Sequence, residues 1–305
     1  MGPGRVESRD TAEHVVSSRP RRLEVLTPTY GPDLELCRDL NASVRRFGDD
    51  VLHRIIASPA DLRLIRELAR DGTELVSREE FIPPFLVASP LNAHLDRRRP
   101  WWPVRGWIMQ QVVKLEATAR SSADVVVVAD SDLAFIRPFG LDSFTAATGP
   151  EMFRLDDAVH NGMLRHVQWH RVARRLLGLD PTCAPPLADY ICWPCPWEPQ
   201  MVRDMLKRVE TVHGKPWQRL VAGQRHFSEM ILYGVYVDEV ASADRDHAST
   251  ARMRCIPHHE ETSLDEMALH SLLARAAEDD LAVMISAKSG TDLAVRRRAL
   301  ARATG

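Results

Sequence analysis

The stretch Val125-Val-Val-Val-Ala-Asp-Ser-Asp132 decides how this chain folds. Four valines and an alanine in a row lack the alternation of a half-exposed strand. They predict a strand buried on both faces of a parallel sheet. Its continuation, Leu133-Ala-Phe-Ile-Arg-Pro-Phe139, is a second apolar segment. Between the two stand Asp130 and Asp132, spaced i and i+2, which point the same way off an extended backbone. Open α/β sheets bind ligands just beyond the carboxyl ends of their strands. Two hard oxygen ligands at that place suit Mg²⁺ or Mn²⁺ carrying a phosphate-bearing substrate. A plain surface turn would leave two neighbouring carboxylates repelling each other, whereas a cation gives their spacing a physical reason.

Working outward, Leu23–Thr27 reads as a first strand closed by Pro28-Thr-Tyr-Gly-Pro-Asp33, with a helix over 34–47. Val51–Ala57 is a second strand, Pro59–Arg70 a second helix, and Leu75-Val76 marks a third strand. This β-α-β-α-β start implies a mostly parallel, doubly wound α/β sheet with right-handed crossovers. Residues 78–104 hold five prolines and read as a long irregular excursion. The helix expected over 105–119 has a core stripe of Ile108, Val112, Leu115 and Ala119. A second stripe carries Trp107, Gln110, Gln111, Lys114 and Thr118. It is either a solvated surface or a set of amide and ammonium donors for phosphates or sugar hydroxyls. Farther on, helices are expected over 164–177, capped by Gly178, over 199–212 and over 227–236. Strands are expected at Tyr190–Trp193, Met253–Ile256 and Leu281–Ser286.

Composition narrows the class. A net charge of −2 gives no reason to expect nucleic acid or an anionic membrane as partner. No apolar run approaches the roughly 20 residues that span a bilayer. Met1–Arg22 is polar, lacks the apolar core of a signal peptide, and reads as a disordered tail. Five cysteines, an odd number, favour free thiols and a reducing cytoplasm. Cys192-Trp-Pro-Cys195 has the C-x-P-C look of a disulfide oxidoreductase, but no thioredoxin-like β-α-β unit lies just upstream.

Four segments in order, Thr27–Asp33, Gly106–Leu115, Ala129–Leu133 and Phe227–Gly234, make the chain resemble a metal-dependent glycosyltransferase of the GT-A type. More narrowly it resembles a sparsely characterised bacterial group with that fold and a D-x-D motif. The resemblance implies a nucleotide-diphosphate-sugar donor, an acceptor it does not identify, and Mn²⁺ or Mg²⁺. It also implies a nucleotide-binding half over 23–139, an irregular acceptor-side half over 140–290, and a basic tail over 291–305. Asp130 would lie near the donor ribose and Asp132 would bind the metal. His258, or His259 beside it, would complete the metal shell, and Glu229 would deprotonate the acceptor of an inverting enzyme. Thr27, Tyr30, Asp33, Gln110, Gln111 and Lys114 would line the donor site.

Each assignment has a plainer alternative. Asp33 serves equally as the N-cap of the next helix, and Glu229 as an acid facing a positive helix end. His166 and His170 have helical spacing without a third ligand and read as a surface helix. A sugar nucleotidyltransferase would want a basic, glycine-rich loop after the first strand, and Thr27–Asp33 has one glycine and no base. A catalytically silent nucleotide-sugar-binding module on the same fold is the remaining alternative.

Overall fold

A computed structural model describes residues 21–89, 93–243 and 246–305. The expected tail Met1–Arg22 therefore falls almost wholly outside the described residues. The central sheet is built from β1 (Leu23–Pro28), β2 (Val51–Ala57), β3 (Thr73–Ser77), β4 (Val125–Val128) and β5 (Cys195–Trp197), in the order β5-β4-β1-β2-β3. The first four are parallel, and β5 closes one edge antiparallel to β4. This is a mixed α/β fold around a mostly parallel sheet.

The four valines of β4 are at most 2% exposed. Val126 and Val128 enter one hydrophobic core, Val125 and Val127 the other. That is the period-2 alternation of a strand with apolar matter on both sides. Helix α1 (Leu34–Phe47) covers one face through Leu40 and Val44, and α2 (Pro59–Leu64) follows β2. Helix α3 (Gly106–Arg120) covers the other face through Ile108, Val112 and Leu115.

Residues 78–104 are not a structureless excursion. They carry a three-stranded antiparallel sheet of Leu86–Ala88, His94–Asp96 and Arg99–Val104. The expected strand at Tyr190–Trp193 is also displaced. Pairing begins five residues after Tyr190, where Cys195–Trp197 meets Val128–Val126. Helices α4 (Leu164–Leu177), α5 (Pro199–His213), α6 (Trp217–Ala222) and α7 (Glu229–Glu239) follow, and Gly178 ends α4 at φ 72 as expected. Inside α7 a glycine is required for packing. A Cβ at Gly234 would lie 2.2 Å from the ring of Tyr190, whose hydroxyl donates to Asp238 Oδ2 at 2.6 Å.

A second sheet joins β6 (Leu133–Phe135) to β7 (Cys255–His258) and β8 (Ala282–Ile285). β7 is parallel to β8, and β8 is antiparallel to β6. Strands from beyond residue 139 thus enter both sheets, so the two expected halves are interleaved. Helix α8 (Glu266–Leu273) packs with α9 (Leu293–Thr304). The basic tail is therefore a docked helix, with Arg297 paired to Asp39 and Glu35 of α1 and Arg298 and Arg302 to Glu266. No helix of the described residues is long and apolar enough to cross a membrane.

Candidate functional site

Strand order fixes where a ligand would go. From β1 the chain steps to β2 on one side, and later places β4 on the other, so the carboxyl ends of β1 and β4 form a topological switch point. The loops leaving these two ends are Thr29–Asp33 and Ala129–Asp132. Ser131 Oγ donates to Thr29 Oγ1 at 3.0 Å and ties them together.

Lys114 closes the site from the helix side. Its Nζ lies 2.8 Å from Asp130 Oδ1 and 3.1 Å from Glu229 Oε1. Lys114 is 4% and Glu229 5% exposed, so this is a buried bridge and not a solvated stripe. Burial alone would push the ammonium down, but the two carboxylates outweigh it and hold Lys114 well above the ordinary lysine range. One turn before it, Gln111 Oε1 accepts the backbone N–H of Glu229 at 3.1 Å. Two residues of α3 therefore grip the first residue of α7, one by its N–H and one by its carboxylate. Ser228, the N-cap, accepts from Ile231 N at 3.3 Å, which satisfies another orphan donor of that helix start.

Asp132 stands on the far side of Asp130. Its Oδ2 accepts from Ala287 N at 3.0 Å. Burial first, and the charge of Asp130 second, push its carboxyl up to about 6. Asp33 is raised for the same two reasons, burial and Asp130. Asp33 occupies the N-cap position of α1 without a side-chain capping bond, so its carboxylate is not spent on that helix. Tyr30, 50% exposed, stands in the field of Asp33.

A residue absent from the sequence-based set supports Asp132 from behind. Arg296 of α9 is 4% exposed and donates to Ile285 O at 2.7 Å and to Asp132 O at 2.9 Å. Burial lowers its guanidinium from the usual value, and the field of Asp132 opposes that shift. Four carboxylates (Asp33, Asp130, Asp132 and Glu229) thus meet two cations, Lys114 and Arg296. With all four ionised, the excess negative charge equals that of one divalent ion.

Other expected members are elsewhere. Thr27 is fully buried, and its hydroxyl is engaged with His53 Nε2 at 2.9 Å rather than with the carboxylates. Asn41 Nδ2 donates to His53 Nδ1 and to Thr73 Oγ1, both at 2.9 Å, which leaves Nε2 to carry the ring proton toward Thr27. Burial pushes His53 down to about 3, so this network is neutral scaffolding. Gln110 is half-buried on α3. His258 sits across β8 from Asp132, about two strand spacings or 10 Å away. Its Nε2 lies 2.8 Å from Thr262 O and its Nδ1 2.9 Å from Glu260, so both ring nitrogens are engaged away from the aspartates. Among the described residues no three His, Cys, Asp or Glu side chains are gathered closely enough to hold a metal by themselves. Mg²⁺ in phosphate sites is commonly held by one or two carboxylates plus substrate oxygens, and Asp132 with Asp130 fits that looser demand. The thiols of Cys192 and Cys195 are buried and free, and a hydrogen bond between them, with burial second, raises Cys192 well above the usual value. A redox motif needs the opposite, an exposed and stabilised thiolate.

Two outcomes follow at Asp132 and Arg296. A raised carboxyl binds its proton more tightly in the folded state, so stability falls as pH rises from the ordinary carboxylate value to about 6. Above that, the buried charge costs up to about 3 kcal/mol. Asp132→Asn keeps an acceptor for Ala287 N. Without ligand it should melt higher than the parent at pH 8 and nearly equal to it at pH 4. Equal melting points at both pH values would contradict this. Arg296→Met removes two charge-assisted bonds and should cost about 2–4 kcal/mol in urea unfolding. It should also push Asp132 further up, so that Mn²⁺ binding near pH 6 weakens. An unaltered pH dependence of Mn²⁺ binding would count against Arg296 as the support of Asp132.

No curated protein matches the chain. Residues 23–297, most of the chain, match the family of unknown function DUF6492, and the chain belongs to that family.

Proposed function

We propose that this protein is a glycosyltransferase, moving a sugar from a nucleotide-diphosphate donor to an acceptor hydroxyl. The observation that carries the reading is the Asp130–Lys114–Glu229 bridge beside the raised Asp132, at the switch point between β1 and β4. Evolution has no need to bury an uncompensated acidic group for stability alone, since buried charges are costly unless paired. A divalent cation, when bound by Asp132 and Asp130, would neutralise the charge that develops on a departing diphosphate.

The chain's own groups take the remaining tasks. Glu229 is held by its N–H and through Oε1, and Oε2 is the carboxylate oxygen that this anchoring does not use. In the proposed step that oxygen takes the acceptor's hydroxyl proton. The acceptor oxygen then bonds to the anomeric carbon, and the pair of the breaking C–O bond leaves on the diphosphate. Lys114 holds Asp130 and Glu229 apart at fixed positions; its protons face carboxylates, so it is a positioning residue and not a direct phosphate ligand. Tyr30 and Asp33, on the partly open loop after β1, are the groups available to the nucleoside. The five free cysteines suit a reducing cytoplasm as the setting.

The test is release of nucleoside diphosphate from a library of UDP-, GDP- and dTDP-sugars, with Mn²⁺ or Mg²⁺ and with chelator. Turnover of at least one donor that stops in chelator and returns with the ion is expected. Metal-independent turnover, or none with any donor, would contradict the proposal.

A further inference from the structure

The first turn of α3 carries an aromatic group that the proposed chemistry does not use. The helix of a β-α-β crossover starts at the carboxyl end of the sheet, so the N-terminus of α3 stands at the same end as Asp130. Trp107 and Lys114 are seven residues apart. At 100° per residue they share one helix face within about 20°, and they are about 10 Å apart along the axis. The face runs from the buried bridge at Lys114 outward to Trp107, which is 43% exposed.

That indole is braced. Trp169 of α4 lies 6.0 Å away between ring centroids, tilted by 37°. Trp169 is in turn held by the imidazole of His166 at 4.8 Å and by the Arg165 guanidinium at 6.0 Å. A tryptophan fixed from behind offers a flat apolar face with little conformational entropy left to lose. Polar groups flank the pair of rings: Gln110 lies one turn inward from Trp107 on α3, and the half-buried His166 and the exposed Arg165 stand against Trp169. Burial lowers His166 from its ordinary value, so near pH 7 its ring is a neutral donor and acceptor. An expected surface helix at 164–177 thus contributes a brace beside the first turn of α3.

A flat apolar face edged by polar groups matches a pyranose ring, which has a face of C–H bonds and a rim of hydroxyls. A lipid chain would find no use for the polar edge. We infer that Trp107, braced by Trp169, is the platform on which a pyranose of the acceptor stacks, so that the acceptor is a carbohydrate or glycoside. This rests on the transferase reading for the word acceptor, and on the geometry alone for the sugar.

The probes are methyl pyranosides of glucose, galactose, mannose and N-acetylglucosamine and their 1,4-linked disaccharides, followed by saturation-transfer NMR on the full chain. With the parent, at least one sugar should receive saturation, strongest at its ring C–H protons. Trp107→Ala should weaken that sugar about tenfold, and Trp107→Phe, which keeps a ring, should retain most of the binding. Thermal shifts with UDP, GDP or dTDP and Mn²⁺ should be the same in both variants as in the parent. Equal sugar signals in the parent and Trp107→Ala, or none with any pyranoside, would overturn the platform. So would phosphatidylglycerol vesicles that bind the parent but not Trp107→Ala while the sugars give nothing. Pyranoside binding without any nucleotide shift would sink the transferase reading and leave the platform standing.

Discussion

Lys114→Met should destabilise the protein by about 3–5 kcal/mol, because it leaves the Glu229 and Asp130 carboxylates facing each other without their cation. Methionine matches the length of the lysine stem, so the loss is of charge and not of packing. For a chain of this size the melting point should fall by roughly 10 °C. The second half of the experiment is the double variant Lys114→Met/Glu229→Gln. With the buried charge on α7 removed, a large part of the lost stability should return, since neighbours in one ion-pair network are not additive. Chemical unfolding of the two single variants and the double variant measures this coupling. Additive losses, or a Lys114→Met protein as stable as its parent, would mean that the ammonium is not what holds α3 and α7 together.

Glu229→Gln should lower sugar transfer by about 10²- to 10⁴-fold while nucleotide and Mn²⁺ affinities stay near the parent's. Glutamine keeps the shape and an oxygen toward Lys114, but cannot accept the acceptor's proton. An acid that only stabilises the start of α7 behaves differently. Its loss costs roughly 0.3–1 kcal/mol from the helix dipole, increased here by the Lys114 contact, and leaves turnover per folded molecule unchanged. Affinity, melting temperature and rate measured on the same variant separate the two. Retained transfer with a lower melting point makes Glu229 structural. The product's anomeric configuration belongs with this test, since only inversion demands a base at that place.

What was legible in the sequence followed from local chemistry. The valine run of β4, the stripe of α1 and the glycine after α4 are period and capping signals, and the structure has them at the expected places. Pairings between distant segments were not legible. The edge strand Cys195–Trp197 contains a proline and only three residues, so nothing in its own pattern announces it, and Tyr190–Trp193 looks more strand-like. The hairpins within 78–104 hide behind prolines for the same reason. At the candidate site, the residue types were readable but their partners were not. Lys114 sits on a stripe that looks solvated by composition, and only the tertiary arrangement of α3 against α7 makes it a bridge. Arg296 is one of three successive arginines in a helix, and spacing alone does not say which turns inward. Conversely, Thr27 and His258 are suitable residue types near suitable strand ends, but their polar atoms are already engaged by His53, Thr262 and Glu260.

On the proposed reading, the acidic group at the ends of β1 and β4 takes a nucleoside diphosphate together with a divalent cation. The most direct measurement is the thermal midpoint of the parent and of Asp132→Asn with UDP, GDP and dTDP, each with Mn²⁺ and with chelator, at pH 8. A ligand bound only by the native state raises the midpoint. At least one nucleotide should raise the parent's midpoint with Mn²⁺ but not with chelator, and should fail to raise that of Asp132→Asn. A shift that survives chelator or the Asp132→Asn exchange, or no shift with any of the three, would contradict the account.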